Sequence, residues 1–280
     1  MPWIVGLVLA GGIGLSLGLL GGGGSVLALP VLVYVMGVAP KSAIAMTLII
    51  VGTVSLLGLI PHWRAGNVNL KTALVFGSAT MVGTFTGAKI ATLPVVSETF
   101  QMLLFAVVML MAAGFMIYRS ARPIQPDNPL AGYPKPVCKY CWLWLLSEGL
   151  AVGILTGLVG VGGGFAIVPA LVLLAKLPMK QAIGTSLLII IANSITGFLG
   201  YLGHVALDWH LIVSFIFAAS LGTIPGAYLA RYVPAQKLQK SFGYFLLVVA
   251  TFVLVQNRQS FHTSHPLGST ASHITVKQSG

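Results

Sequence analysis

The chain has 280 residues, with 15 Lys and Arg against 4 Asp and Glu for a net charge of +11, and is 57% hydrophobic with only 7% charged residues. Soluble domains carry roughly a quarter charged residues, so this chain lacks the polar surface that a water-facing enzyme needs. Its basic residues stand singly between long apolar runs and form no basic face, which excludes a nucleic-acid binder and a disordered chain and leaves a membrane protein.

The apolar runs, in chain order, cover residues 2–20, 25–36, 42–60, 70–92, 99–118, 142–159, 164–175, 181–201, 210–230 and 242–256. A helix crosses the bilayer core in about 20 residues, so eight runs are expected to span and two, 25–36 and 164–175, are too short. Both short runs follow a glycine cluster and are closed by a Pro or Lys turn. That is the pattern of a helix broken at membrane depth or of a helical hairpin. The first run has no basic segment before it and no cleavage site after it, and is expected to be a retained span. Residues 257–280 are polar and aperiodic, which predicts a disordered tail whose His262, His265 and His273 are too scattered for a metal tract. Cys138 and Cys141 are a single pair in a polar connector, without the second pair that a zinc site needs. The sequence asks for no metal and no cofactor.

Sliding the chain by 139 residues lays Gly18-Leu19-Leu20-Gly21-Gly22-Gly23-Gly24 on Gly157-Leu158-Val159-Gly160-Val161-Gly162-Gly163, and Pro30 on Pro169. The register continues ungapped through Lys41 on Lys180, Ser55 on Ser194, Gly58 on Gly197 and Gly83-Thr84 on Gly222-Thr223, with 21 of the 73 positions from Gly18 to Ile90 identical. The chain is an internal duplication: a first repeat over 1–120, a connector over 121–141 and a second repeat over 142–256.

Basic loops stay cytoplasmic, so the Lys and Arg positions orient the halves. If each glycine-linked pair makes no net crossing, each half crosses an odd number of times. The connector and the loops holding Arg64, Lys71, Lys176, Lys180, Arg231, Lys237 and Lys240 then share one side, with eleven basic residues against four on the other. If each pair makes one crossing, the split is eight against seven. The expected fold is therefore an all-α polytopic membrane protein of two inverted repeats, with glycine breaks near the midplane and both termini outside.

A half-helix ending inside the membrane leaves unpaired N–H groups and a positive dipole end facing a cavity, which can hold an anion without a buried cation. The helices starting near Gly24-Ser25 and Gly163-Gly164 aim such ends at the breaks, and Ser25 is also a good N-cap. The candidate backbone is Gly22, Gly23, Gly24 and Ser25 with Gly162, Gly163 and Gly164; close helix packing is the other use of such glycines. Thr47 falls on Ser186, preceded by Thr185, and Asn193 lies two helical turns beyond Ser186 on the same face. These hydroxyls complete a ring of donors or bond back to their own helices, whereas a carboxamide in lipid needs a partner. Glu148, the one acid inside an apolar run, is expected to pair near the cytoplasmic interface, with proton coupling as the alternative. Lys89 is read as an outer anchor, and His62 and His204 as loop-end residues at the interface.

No serine, histidine or carboxylate pair stands where an intramembrane hydrolase would need one, so the chain is not read as an enzyme. A passive anion channel would use the same N–H-lined cavity and stays open as an alternative.

At the two glycine stretches with Pro30 and Pro169, and at Ala182-Ile183-Gly184-Thr185-Ser186-Leu187, the chain resembles the sulfite exporter TauE/SafE family. The resemblance covers nearly everything up to Gln256. It implies a bacterial inner-membrane carrier for sulfite, an organosulfonate or a related sulfur oxyanion, often proton-linked or driven by the membrane potential. The small anion and lipid are then the partners. The first half has Met46 where the second has Thr185, so the halves are not expected to contribute equally.

Overall fold

The computed structural model describes residues 2–93, 96, 98–121, 141–159, 164–201 and 205–263. Among these the chain is all-helical: α1 (Pro2–Leu20), α2 (Ser25–Pro30), α3 (Pro40–Arg64), α4 (Leu70–Ala91), α5 (Glu98–Ala121), α6 (Cys141–Val159), α7 (Gly164–Leu173), α8 (Met179–Tyr201), α9 (Trp209–Tyr232) and α10 (Ala235–Thr263). Seven helical stretches among the described residues are long and apolar enough to cross a membrane, and Leu145–Val159 adds a shorter apolar one. Outward-facing side chains such as Val8 (70% exposed), Leu74 (72%) and Phe217 (68%) are apolar. Water would not tolerate such a belt, and lipid does. The expected all-α polytopic fold is the observed one.

Local chemistry sets the helix ends. Asn69 Oδ1 accepts the Thr72 N–H at 3.1 Å and Asp208 Oδ1 accepts the Leu211 N–H at 3.1 Å. These two N-caps open α4 and α9 and lie 208 − 69 = 139 residues apart. Gly37 and Lys176, again 139 apart, both take the left-handed backbone after the short helices, with φ of 70° and 54°.

Trp3–Val35 is apolar over 33 residues but is not one passage. After α1 the chain turns at Gly21, whose φ of 67° favours glycine, into a 3-10 turn, Gly21–Gly24, that leads directly into α2. The returning strand of the hairpin lies along α1, with Gly24 against Ile13 and Leu17 and Gly6 against Met36. Its end therefore comes back to the level where α1 began. Pro30 sits inside the short helical run, and the backbone widens after it to a π-turn over Val31–Val35. A proline removes one N–H and crowds the preceding turn, and widening accommodates both. Pro169 lies inside α7 in the same way, with the Ala175 N–H reaching Ala170 O at 3.3 Å as Met36 N–H reaches Val31 O at 3.1 Å.

The two halves interlock. α1 packs on α9 and α6 on α4, while α3 and α8 cross at the centre and α5 pairs with α10. Each cross-half pair recurs with the halves exchanged. Gly14 and Gly18 meet the α9 backbone at Ala219 and Thr223, and Gly153 and Gly157 meet the α4 backbone at Thr80 and Thr84. From the other side, Gly222 and Gly226 lie on α1, and Gly83 and Gly87 on α6. Spacing of four puts each glycine pair on one face, which lets two backbones touch. α3 and α8 run antiparallel: Gly58 lies beside Leu187, Gly52 beside Ser194, and Gly197 beside Leu48.

Three expectations on boundaries change. α3 continues to Arg64, past the expected end at 60. His62 is therefore not a loop-end interfacial residue; it is buried at 3% exposure in the last turn. α10 runs on to Thr263, into the region expected to be a disordered tail. Most of the connector with Cys138, the position of His204, and His265 and His273 lie outside the described residues.

Candidate functional site

The glycine breaks meet at the centre of the molecule. Gly22 of the first touches the backbone of Gly164 at the start of α7, so closely that neither position has room for a Cβ. Ile183 and Ser186 of α8 stand against Gly21, with a Cβ there falling 2.9 Å from Ser186 Oγ, while Ile190 abuts Gly164. Gly22, Gly23, Gly24 and Ser25 are all buried, as is Gly164. Gly162 and Gly163 lie outside the described residues.

Ser25 is not the N-cap that its type suggested. The backbone of Gly24 is already right-handed helical, and Ser25 Oγ donates to Gly22 O at 2.6 Å. Neither the 3-10 turn nor α2 has a side-chain cap.

The hydroxyls divide by partner. Ser186 Oγ donates to Ile183 O at 2.8 Å, the self-bonding alternative, yet its oxygen still faces Gly21. Thr185 Oγ1 accepts the Asn69 N–H at 3.0 Å, which ties α8 to the entry of α4; its oxygen is used in holding the fold. Among the described residues Thr47 Oγ1 is buried without a hydrogen-bond partner, as are the repeat-related Ser55 Oγ and Ser194 Oγ. Asn193 is fully buried; its Oδ1 accepts from Thr80 Oγ1 at 3.1 Å, and its Nδ2 has no acceptor among the described residues. A buried amide donor without a partner costs on the order of 1–3 kcal/mol, and all of these atoms lie on α3 or α8. Glu148 is half-buried on α6, next to Gly149, which packs on Phe76 of α4.

Thr80 was not singled out by the sequence, because a threonine among apolar residues looks like any self-bonding one. It does bond back, its one hydroxyl proton shared between Gly77 O at 2.9 Å and Asn193 Oδ1 at 3.1 Å. Thr80→Val strands the Asn193 oxygen and is expected to lower stability by about 1–3 kcal/mol. Thr80→Val with Asn193→Leu should recover part of that loss, as thermal unfolding in detergent would measure. Full additivity of the two losses would refute the pairing.

His62 and Tyr201 were also missed as site residues. His62 Nε2 lies 3.1 Å from Gly18 O and the Tyr201 hydroxyl donates to Gly157 O at 3.3 Å. The repeat offset pairs both the donors and the acceptors, and that pairing was the available signal. Gln101 of α5 joins the second cluster, its Nε2 donating to Leu158 O at 3.1 Å.

The family model of the sulfite exporter TauE/SafE proteins matches residues 6–253. A probable membrane transporter protein of Xylella fastidiosa (strain Temecula1) is 34% identical over 245 residues, covering 86% of this chain and 91% of its own. Two probable membrane transporter proteins of Bacillus subtilis are also similar. YdhB is 26% identical, over 82% of this chain and 91% of its own, and YunE is 28% identical, over 90% and 93%. No solved structure matches the chain.

Proposed function

The chain belongs to the sulfite exporter TauE/SafE family and is a multi-pass membrane transporter, and from that premise we propose that it carries sulfite, an organosulfonate or a related sulfur oxyanion across the bacterial inner membrane by alternating access. The direct apposition of Gly22 and Gly164 carries this reading. It draws the glycine turn of the first half and the start of α7 into one locus, where among the described residues no buried Lys or Arg has to be left unpaired when the site empties. Gly22, Gly23, Gly24 and Ser25, with Gly162 to Gly164, are the proposed oxyanion cradle. Thr47, Ser186 and Asn193 supply the side-chain donors, and Thr185 positions α8.

The halves are proposed to be inverted in the membrane with both termini outside. The hairpin of α1 and α2 makes no net crossing, which is the case in which the basic residues divide eleven to four. Alternating access then amounts to rocking one interlocked pair of helices against the other about the α3–α8 crossing. Backbone contact closing the centre favours a carrier over a standing channel.

Proteoliposomes are expected to take up labelled sulfite, thiosulfate or sulfoacetate with saturation. A linear dependence of flux on concentration would point to a channel, and absence of flux for all three would remove the sulfur-oxyanion assignment.

A further inference from the structure

His62 of α3 and Tyr201 of α8 occupy the same place in the two halves, and both are buried, at 3% and 0% exposure. Each bonds a carbonyl at the end of the broken helix of its own half. A helix leaves its last four carbonyls without intrahelical partners; Gly18 is among the last four residues of α1, and Gly157 among those of α6. One donor per half therefore fastens a helix end, just before its glycine break, to the neighbouring long helix. Facing a carbonyl, the Nε2 of His62 must carry a proton, which leaves Nδ1 as the nitrogen able to gain one.

We propose that His62 and Tyr201 are equivalent positioning residues that latch the two glycine breaks, and that the first latch answers to protons while the second does not. This rests on reading the breaks as the transport site. If either break opens to its side of the membrane, a broken helix must part from α3 or α8, and the latch bond must be given up. An imidazolium buried without a counter-charge is costly. Cations surround this one. Arg231 of α9 donates from Nη2 to Pro61 O at 2.8 Å, Lys180 of α8 donates from Nζ to Arg231 O at 3.0 Å, and Arg64 lies two residues on in its own helix. α10 opens with Lys237 and Lys240, α1 has no titratable side chain, and none of α1, α3, α8, α9 and α10 carries a carboxylate. A second positive charge at His62 becomes tolerable when water enters, or when an oxyanion reaches the Gly21–Gly24 turn beside it. Proton uptake and anion binding then favour each other at this end. Tyr201 makes the same bond with a phenol, which does not ionise near neutrality.

The test uses the full chain in proteoliposomes and nanodiscs, with His62→Phe, His62→Tyr and Tyr201→Phe. Thiosulfate and sulfoacetate are the probes, because sulfite itself exchanges a proton in the imidazole range of about pH 5 to 8. For the wild type, KM should fall several-fold on acidification across that range. H62Y keeps the latch without the titrating nitrogen, so its KM should stay flat. Amide hydrogen exchange without anion reads the latch directly. Residues 17–25 should exchange faster in H62F than in the wild type at every pH, and residues 156–159 faster in Y201F. H62Y should match the wild type at the alkaline end and exchange more slowly than it at the acid end. Wild-type exchange in H62F, or in Y201F should H62F not accumulate, overturns the latch. A KM in H62Y that follows the wild-type pH profile overturns the proton sensitivity, as does wild-type exchange of H62Y at the acid end. If exchange behaves as expected and neither anion is carried, the latch stands and the proposed substrate class fails.

Discussion

Gly22→Ala is expected to stop transport almost completely, and Gly164→Ala to do the same. A methyl group on Gly22 would lie inside the Gly164 backbone, and one on Gly164 inside that of Gly22. Backbone cannot turn away as a side chain does, so the two breaks would be forced apart. Overpacking of this kind costs about 1–3 kcal/mol and at times more, here concentrated on the proposed cradle. Gly23→Ala is the informative contrast. Its methyl would meet the Phe242 ring at 2.7 Å and Leu20 Cβ at 3.0 Å, and the ring can swing. G23A should therefore keep a measurable share of flux, and Phe242→Leu should restore more. Initial uptake rates per reconstituted molecule would rank the variants. If G23A were as damaging as G22A, the contact between the two breaks would not be what limits function.

The second large effect concerns assembly. Gly14→Val drives a side chain into the Ala219 carbonyl of α9, and Gly157→Val into the Thr84 carbonyl of α4. In lipid, helices associate through close van der Waals contact and not through exclusion of water. Prising apart the α1–α9 or α4–α6 pair forfeits a long interface at once. Both variants should show a several-fold fall in the amount of monodisperse protein extracted from membranes, whatever the activity of the remainder. Gly12→Ala and Gly114→Ala, with nothing near the added atom, are the controls and should accumulate normally; alanine even favours the helix by up to about 1 kcal/mol. Normal yields of G14V and G157V would mean that the interlocked pairs are not what holds the halves together.

Much of this architecture is legible in the residues because packing in lipid leaves a regular trace. The glycines at 14, 18, 83 and 87 and their partners 139 positions on are the points of backbone contact, and the same offset exposes the duplication. Pro30 and Pro169 lie inside the short runs, but that the backbone would widen after them is not written in the residues. The apolar run ends at residue 60, which puts His62 at a loop end by pattern alone. Two bonds from distant segments, His62 to Gly18 O and Arg231 to Pro61 O, hold the last turn of α3, together with the local bond of the Asn67 N–H to His62 O at 3.0 Å. Partner choice was the least legible feature. Nothing in a run of apolar residues says that the Thr185 oxygen goes to the Asn69 N–H, or that Thr80 supports Asn193; such bonds depend on which helices become neighbours.

The interlocking of the halves also bears on how the molecule is made. α1 ends at residue 20, and the helix that covers its glycine face, α9, begins at residue 209. At roughly 5–20 residues per second, a nascent chain needs about 10–40 s to bring the two together. During that interval the glycine face of α1 stands open to lipid or to the insertion machinery. The face that α4 offers to α6 waits too, though for a shorter stretch of translation. The first half is thus synthesised as an incomplete surface whose final partners come from the second, and a ribosome stalled between them would leave a membrane-embedded fragment marked for removal by its own unmatched seams.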